Sequence, residues 1–336
     1  MPLESFAHRF AIVSDLLLYQ TLMANPHSFS KSGNSQRAAR FWLATTSGVF
    51  LSFNLLLAPA WAKDPFRTSN PKTIGDRVEA AFRAVFEKGN YADARKFLEA
   101  AEVDEPLTHA MRGAMIYIDF QAAGNDATQK AAFLNELNDS AEKIRETARQ
   151  LSQKDPLRGN LYMAVSHFFR GGHAVLRDGT VKGTPQALSE LQSAYRYLDE
   201  AEKIDRNDPE LNLLKGYMDL LLAANLPFSS PDKAIERLEK YAGPKYLANR
   251  GLAMGYLALK QPEKALPPAK LALAEAKNNP ELMYLKAQVF YALQNYKEAT
   301  EWFNKALQMQ AQLPPGMVRQ ITRERDRAQR KLASGV

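Results

Sequence analysis

The chain has 336 residues, 46% of them hydrophobic and 24% charged, a balance that excludes wholesale disorder and leaves room for one or two domains. It contains no cysteine, which excludes disulfides, thiolate catalysis, cysteine-ligated metals and lipid attachment through a thiol. The net charge of +7 is unevenly spread, because Lys63 to Pro315 carries 34 basic against 33 acidic residues.

No Asp or Glu lies between Asp15 and Asp64. Within that window Lys31, Arg37 and Arg40 precede the apolar run Phe41 to Leu57 and the small residues Ala60 and Ala62. Basic, apolar and small segments in this order predict a secretory signal peptide over 23–62, cleaved after Ala62 at an A-x-A site. The positive end stays cytoplasmic, the apolar run enters the bilayer, and the peptidase requires small side chains at the cut. The alternative is an uncleaved inner-membrane anchor, with membrane contact through 41–62. Met23 makes as good a start as Met1, in which case 1–22 is an over-called extension. Residues 63–73, polar with two prolines, read as a linker.

From Ile74 apolar residues recur at helical spacing, and strand alternation is scarce, so the chain is expected to be all-α. The first unit carries Gly89 and Tyr91 at a turn, then Ala94, Leu98 and Ala101 on one helix face, closed by Pro106. Helices are predicted over 107–122, 128–153, 157–176 and 185–204, the last bearing Ala194, Leu198 and Ala201. Gly216 follows on one helix and Ala234 with Leu238 on the next, separated by the loop 225–231.

Two later segments repeat. Ala253, Tyr256, Ala265 and Ala272 are matched by Ala287, Phe290, Ala299 and Ala306, each pair 34 residues apart. Ala299, Phe303 and Ala306 fall at i, i+4 and i+7, so they define a packing face rather than a reactive one. This pattern resembles the tetratricopeptide repeat (TPR), a 34-residue helical hairpin. The resemblance implies a right-handed superhelix of hairpins (an α-solenoid) over 74–315, degenerate between 107 and 184. Gln294 and Gln261 stand where the family has its turn glycine, and Pro262 replaces the turn aromatic. Residues 316–336 hold Arg319, Arg323, Arg325, Arg327, Arg330 and Lys331 and are expected to form a basic capping helix and tail. The other reading of that tail is a basic surface for an anionic partner.

No phosphate-cradling glycine loop, nucleophile elbow or H-E-x-x-H motif occurs. His167 and His173, six apart on a helix, make a poor metal pair, and His109 stands alone. The reading is therefore non-enzymatic, with no cofactor and no metal. The near-neutral body argues against nucleic acid. The family resemblance implies partner binding in a concave groove lined by the first helix of each hairpin. Its positions here are Tyr217 and Leu220, then Arg250, Met254 and Leu257, then Tyr284, Gln288 and Tyr291. Met254 and Gln288 occupy the places of the family's clamp asparagines, so a carboxylate clamp is not expected. The expected function is a protein–protein interaction scaffold, periplasmic or lumenal, with partner and oligomeric state unspecified. Two alternatives stand beside it: a membrane-anchored assembly factor, and an envelope enzyme with its site within 107–184.

Overall fold

One local device starts most of the helices. A carboxylate or asparagine accepts a hydrogen bond from the first-turn amides, and a proline often follows it at the first helical position. Glu105-Pro106, Asp155-Pro156, Asp208-Pro209 and Asn279-Pro280 all follow this arrangement. Proline loses nothing there, because that amide has no intrahelical acceptor, and the side-chain oxygen satisfies one that would otherwise be orphaned. Asn90, Asp126 and Asn295 cap three more helices without proline.

The computed structural model describes residues 64–225 and 230–335. Both candidate starts, the predicted signal segment with Ala60 and Ala62, and most of the 225–231 loop lie outside the described residues. The described chain is all-helical, with twelve α-helices and no strand. They are α1 (Asp76–Phe82), α2 (Tyr91–Glu99), α3 (Pro106–Ala122), α4 (Ala127–Leu151), α5 (Pro156–Ile204), α6 (Pro209–Asn225), α7 (Asp232–Glu236), α8 (Lys245–Ala258), α9 (Pro262–Glu275), α10 (Pro280–Ala292), α11 (Tyr296–Gln308) and α12 (Pro315–Ala333). Helices α1 and α7 each run on into one π-helical turn, Arg83–Glu87 and Arg237–Tyr241.

Helix α5 is broken at Gly179, whose φ of 79° and ψ of 168° only glycine adopts readily. Its two limbs fold back on each other, with Arg170 and His167 of the first limb both reaching Glu190 of the second. The separate helices expected at 157–176 and 185–204 are these two limbs, extended to meet at the break.

Consecutive helices pack side by side, and α1 also packs on α3, α3 on α5, α6 on α8, and α8 on α10. The repeat-core residues explain how. Ala94, Ala194, Ala201, Ala234, Ala253, Ala265, Ala272, Ala287, Ala299 and Ala306 are all completely buried, as is Phe303. Tyr91, Leu98 and Ala101 are buried too, whereas Tyr256 and Phe290 are half-buried. Gly216 allows a close approach, since a Cβ there would lie 2.8 Å from the Leu238 side chain.

Two details depart from expectation. The left-handed residue before α9 is Lys260 (φ 58°), one position before Gln261, which precedes the helix without a side-chain capping bond; Gln294 takes φ 60° as the turn requires. A side chain costs about 1 kcal/mol in that conformation, which glycine would avoid. The segment read as a linker is anchored: Asp64, Phe66 and Arg67 are buried, and Arg67 bonds to Asp208 and Glu210 at the start of α6. Its sequence looked polar because the polar groups satisfy one another inside the fold.

Elements far apart in sequence also touch. Tyr91 Oη donates to Glu281, Asn279 Nδ2 donates to the Phe86 carbonyl at 3.0 Å, and α12 reaches α3.

Candidate functional site: an apolar cavity with charged ends

Helices α3, α5, α6 and α8 turn one face each toward a common space, and Phe66, Phe82 and Phe86 from the first segment complete its wall. The spacing on each helix makes this possible. Helix α3 contributes Leu107, Ala110, Met111 and Ala114, and α6 contributes Leu213, Leu214, Tyr217, Met218 and Leu221, both following the i, i+3, i+4, i+7 rule. Leu161, Val165, Phe168 and Phe169 of α5 lie opposite in sequence, and Leu247 and Arg250 come from α8. The space is partly open to solvent and has a volume of about 170 Å³.

Charged clusters hold two edges of this cavity. At one, Arg67 donates to Asp64 (2.9 Å), Asp208 (2.7 Å) and Glu210 (2.9 Å), and Arg158 donates to Glu105 (2.8 Å). Tyr162 Oη donates to the other oxygen of Glu210 at 2.7 Å. Arg158 Nε lies 3.4 Å from Glu210, near enough for ion pairing but not aligned to donate. Burial works against the Arg67 cation, yet Glu210, Asp208 and Asp64 outweigh it and hold its pKa above the usual value. Two guanidiniums thus face four carboxylates, and burial pushes the Asp208 carboxyl up despite Arg67. At the other edge Arg250 pairs with Glu281 at 3.2 Å. Tyr217 Oη donates to the Leu247 carbonyl at 2.6 Å, and burial pushes its phenol up to about 12.

The eight groove residues expected from the sequence fall into two groups. Tyr217 and Arg250 line the main cavity, and Tyr217, Leu220 and Met254 line a second pocket of about 30 Å³ between α6 and α8. Leu257 is half-buried near the end of α8. The α10 group is covered by the chain itself. Tyr284 is buried and donates to Glu324 of α12, Gln288 donates to the same carboxylate, and Tyr291 lies edge-on to Tyr296. The cavity residues of α1, α3 and α5 carried an audible signal, their helical periodicity, but nothing in it said that their faces meet.

Among the described residues no group of three or more His, Asp or Glu side chains is placed to hold a metal ion. His167 Nδ1 sits 2.6 Å from Glu190 and stacks on Tyr197. His109 bonds to the Val103 carbonyl, and burial lowers its pKa; burial and Arg177 lower that of His173. Within 107–184 the helices do line a cavity, but with apolar side chains. Among the described residues no helix is long and apolar enough to cross a membrane. Comparison with protein-family models, curated proteins and solved structures gave no match.

Proposed function

We propose that this chain is a non-enzymatic, TPR-like scaffold, a right-handed superhelix of helical hairpins that works outside the cytoplasm and holds a segment of a partner protein. The observation that carries the reading is the side-by-side packing of α6 and α8, first helices of successive hairpins, which brings Tyr217, Leu220 and Met254 around one pocket. The burial of both members of the pairs Ala265/Ala299 and Ala272/Ala306 supports the 34-residue repeat as a packing unit. A binding rather than a catalytic role is supported by Glu210, whose two oxygens are both engaged by neighbouring side chains. The receptive face is α6–α8 and not α10, because α12 already lies over Tyr284 and Gln288. Export rests on the basic, apolar and small-residue order of 23–62.

The test uses the rim of the pocket, where Ala258 is exposed and Ala224 half-buried. Ala224→Asp with Ala258→Asp places two charges there without truncating the core. Proteins retained by the wild type in affinity capture from an envelope extract are expected to be lost by this variant while its melting curve is unchanged. Retention of the same proteins by both would move the binding face elsewhere. Amino-terminal sequencing of the mature protein is expected to begin at Lys63; an intact 41–62 segment would favour the anchored form.

A further inference from the structure

We infer that the cavity among α1, α3, α5, α6 and α8 is a binding site for a small uncharged hydrocarbon group, either an aromatic ring or the end of an alkyl chain. This does not rest on the partner-binding reading, although Tyr217 and Leu221 line both spaces. Four observations select the ligand class. The volume, about 170 Å³, is in the range of apolar cavities of roughly 150 Å³ that take up a benzene ring. The wall is built from aromatic and branched aliphatic side chains, with Phe66, Phe82, Phe86, Phe168 and Phe169 prominent.

The polar groups that touch the space are committed elsewhere. Tyr162 donates to Glu210, Glu210 accepts from Arg67, Tyr217 donates to a backbone carbonyl, and Arg250 pairs with Glu281. An occupant therefore meets an almost wholly apolar wall whose few polar groups already have partners. Ordered water, which needs two to four polar partners, is disfavoured, and so is a peptide, whose amides would go unsatisfied. A charged group drawn into the space would lose its hydration, so only the hydrocarbon end of an amphiphile such as octanoate enters and its carboxylate stays in water.

Room in the space is left by Ala110 and Ala114, one helical turn apart on α3 and alternating with the larger Leu107 and Met111. Leucines at those two positions would occupy it. Both ends are tied by buried ion pairs, so the walls cannot simply collapse inward.

The experiment titrates the full chain, with 13C-labelled methyl groups, separately with toluene and with octanoate. Saturable shifts are expected at the methyls of Leu161, Val165, Leu213 and Met218, and not at exposed Val103 and Val181. Saturation by toluene alone assigns the site to aromatic rings; by octanoate alone, to acyl chains; by both, to hydrocarbon in general. Ala110→Leu with Ala114→Leu is expected to weaken binding at least about tenfold, the effect of a filled cavity. If that variant does not fold, nuclear Overhauser contacts between the saturating ligand and the rings of Phe82 and Phe168 in the wild type decide. The inference is overturned if neither ligand moves the cavity methyls beyond the exposed controls, if the filled variant binds as the wild type does, or if those ring contacts are absent at saturation.

Discussion

Glu324 shows how a single side chain is read differently in a sequence and in a fold. In the sequence it is one of two acids in a basic tail; in the fold it receives hydrogen bonds from Gln320, Tyr284 and Gln288. Burial pushes its pKa above the ordinary value of 4.5, and those hydrogen bonds together with Arg327 offset only part of the rise. The folded state therefore holds the proton more tightly than the unfolded chain. Its contribution to stability is full below about pH 4.5 and is lost as pH rises through the elevated folded value. Glu324→Gln keeps an oxygen for Tyr284 and removes the charge. The variant is expected to gain on the wild type as pH rises from about 4.5 toward neutrality, read from urea midpoints at several pH values. Parallel pH curves would show that Glu324 titrates normally. The Arg67 cluster was equally invisible beforehand, since Arg67 and its partner Glu210 are 143 residues apart.

At the level of elements the helices themselves were legible. Those expected at 107–122 and 128–153 are found as Pro106–Ala122 and Ala127–Leu151, because capping residues and apolar periodicity act locally. The α5 turnaround was less legible, and it depends on glycine in two ways. Gly179 supplies the left-handed break, and Gly183 lets the second limb close on the first. A Cβ on Gly183 would stand 2.4 Å from the Ala174 carbonyl oxygen, which is backbone and cannot rotate away. Gly183→Ala is expected to cost about 1–3 kcal/mol through overpacking. Gly316→Ala is the control: its nearest neighbour would be 3.8 Å away, so the change is expected to be neutral or slightly stabilising. Equal melting temperatures for the two variants would refute the close packing of the limbs.

On the scale of the whole molecule, Asn279 joins distant parts of the chain. Its Oδ1 accepts from the amides of Glu281 and Leu282 to cap α10, while its Nδ2 donates to Phe86, 193 residues away. Asn279→Ala removes both and is expected to cost about 2 kcal/mol, the sum of a cap and a part-buried hydrogen bond. Hydrogen exchange should then speed up in the π-helical turn Arg83–Glu87 after α1 and in α10 together. Faster exchange in α10 alone would mean that the first hairpin and α10 are energetically independent. Asn279→Asp, which keeps the cap acceptor but not the donor, should separate the two contributions.

Local order in this protein was settled by the sequence: helical periodicity, carboxylate- or asparagine-capped starts, and alanines at 34-residue intervals that let helices approach. These features act within a few turns of chain, so a linear reading captures them. Which faces remain open was settled by the tertiary structure alone. An apolar helix face looks the same in sequence whether a partner or the chain itself covers it. Here α12 covers Tyr284, the segment at Asp64–Arg67 anchors on α6, and five helices line one cavity, all through contacts between residues far apart in sequence.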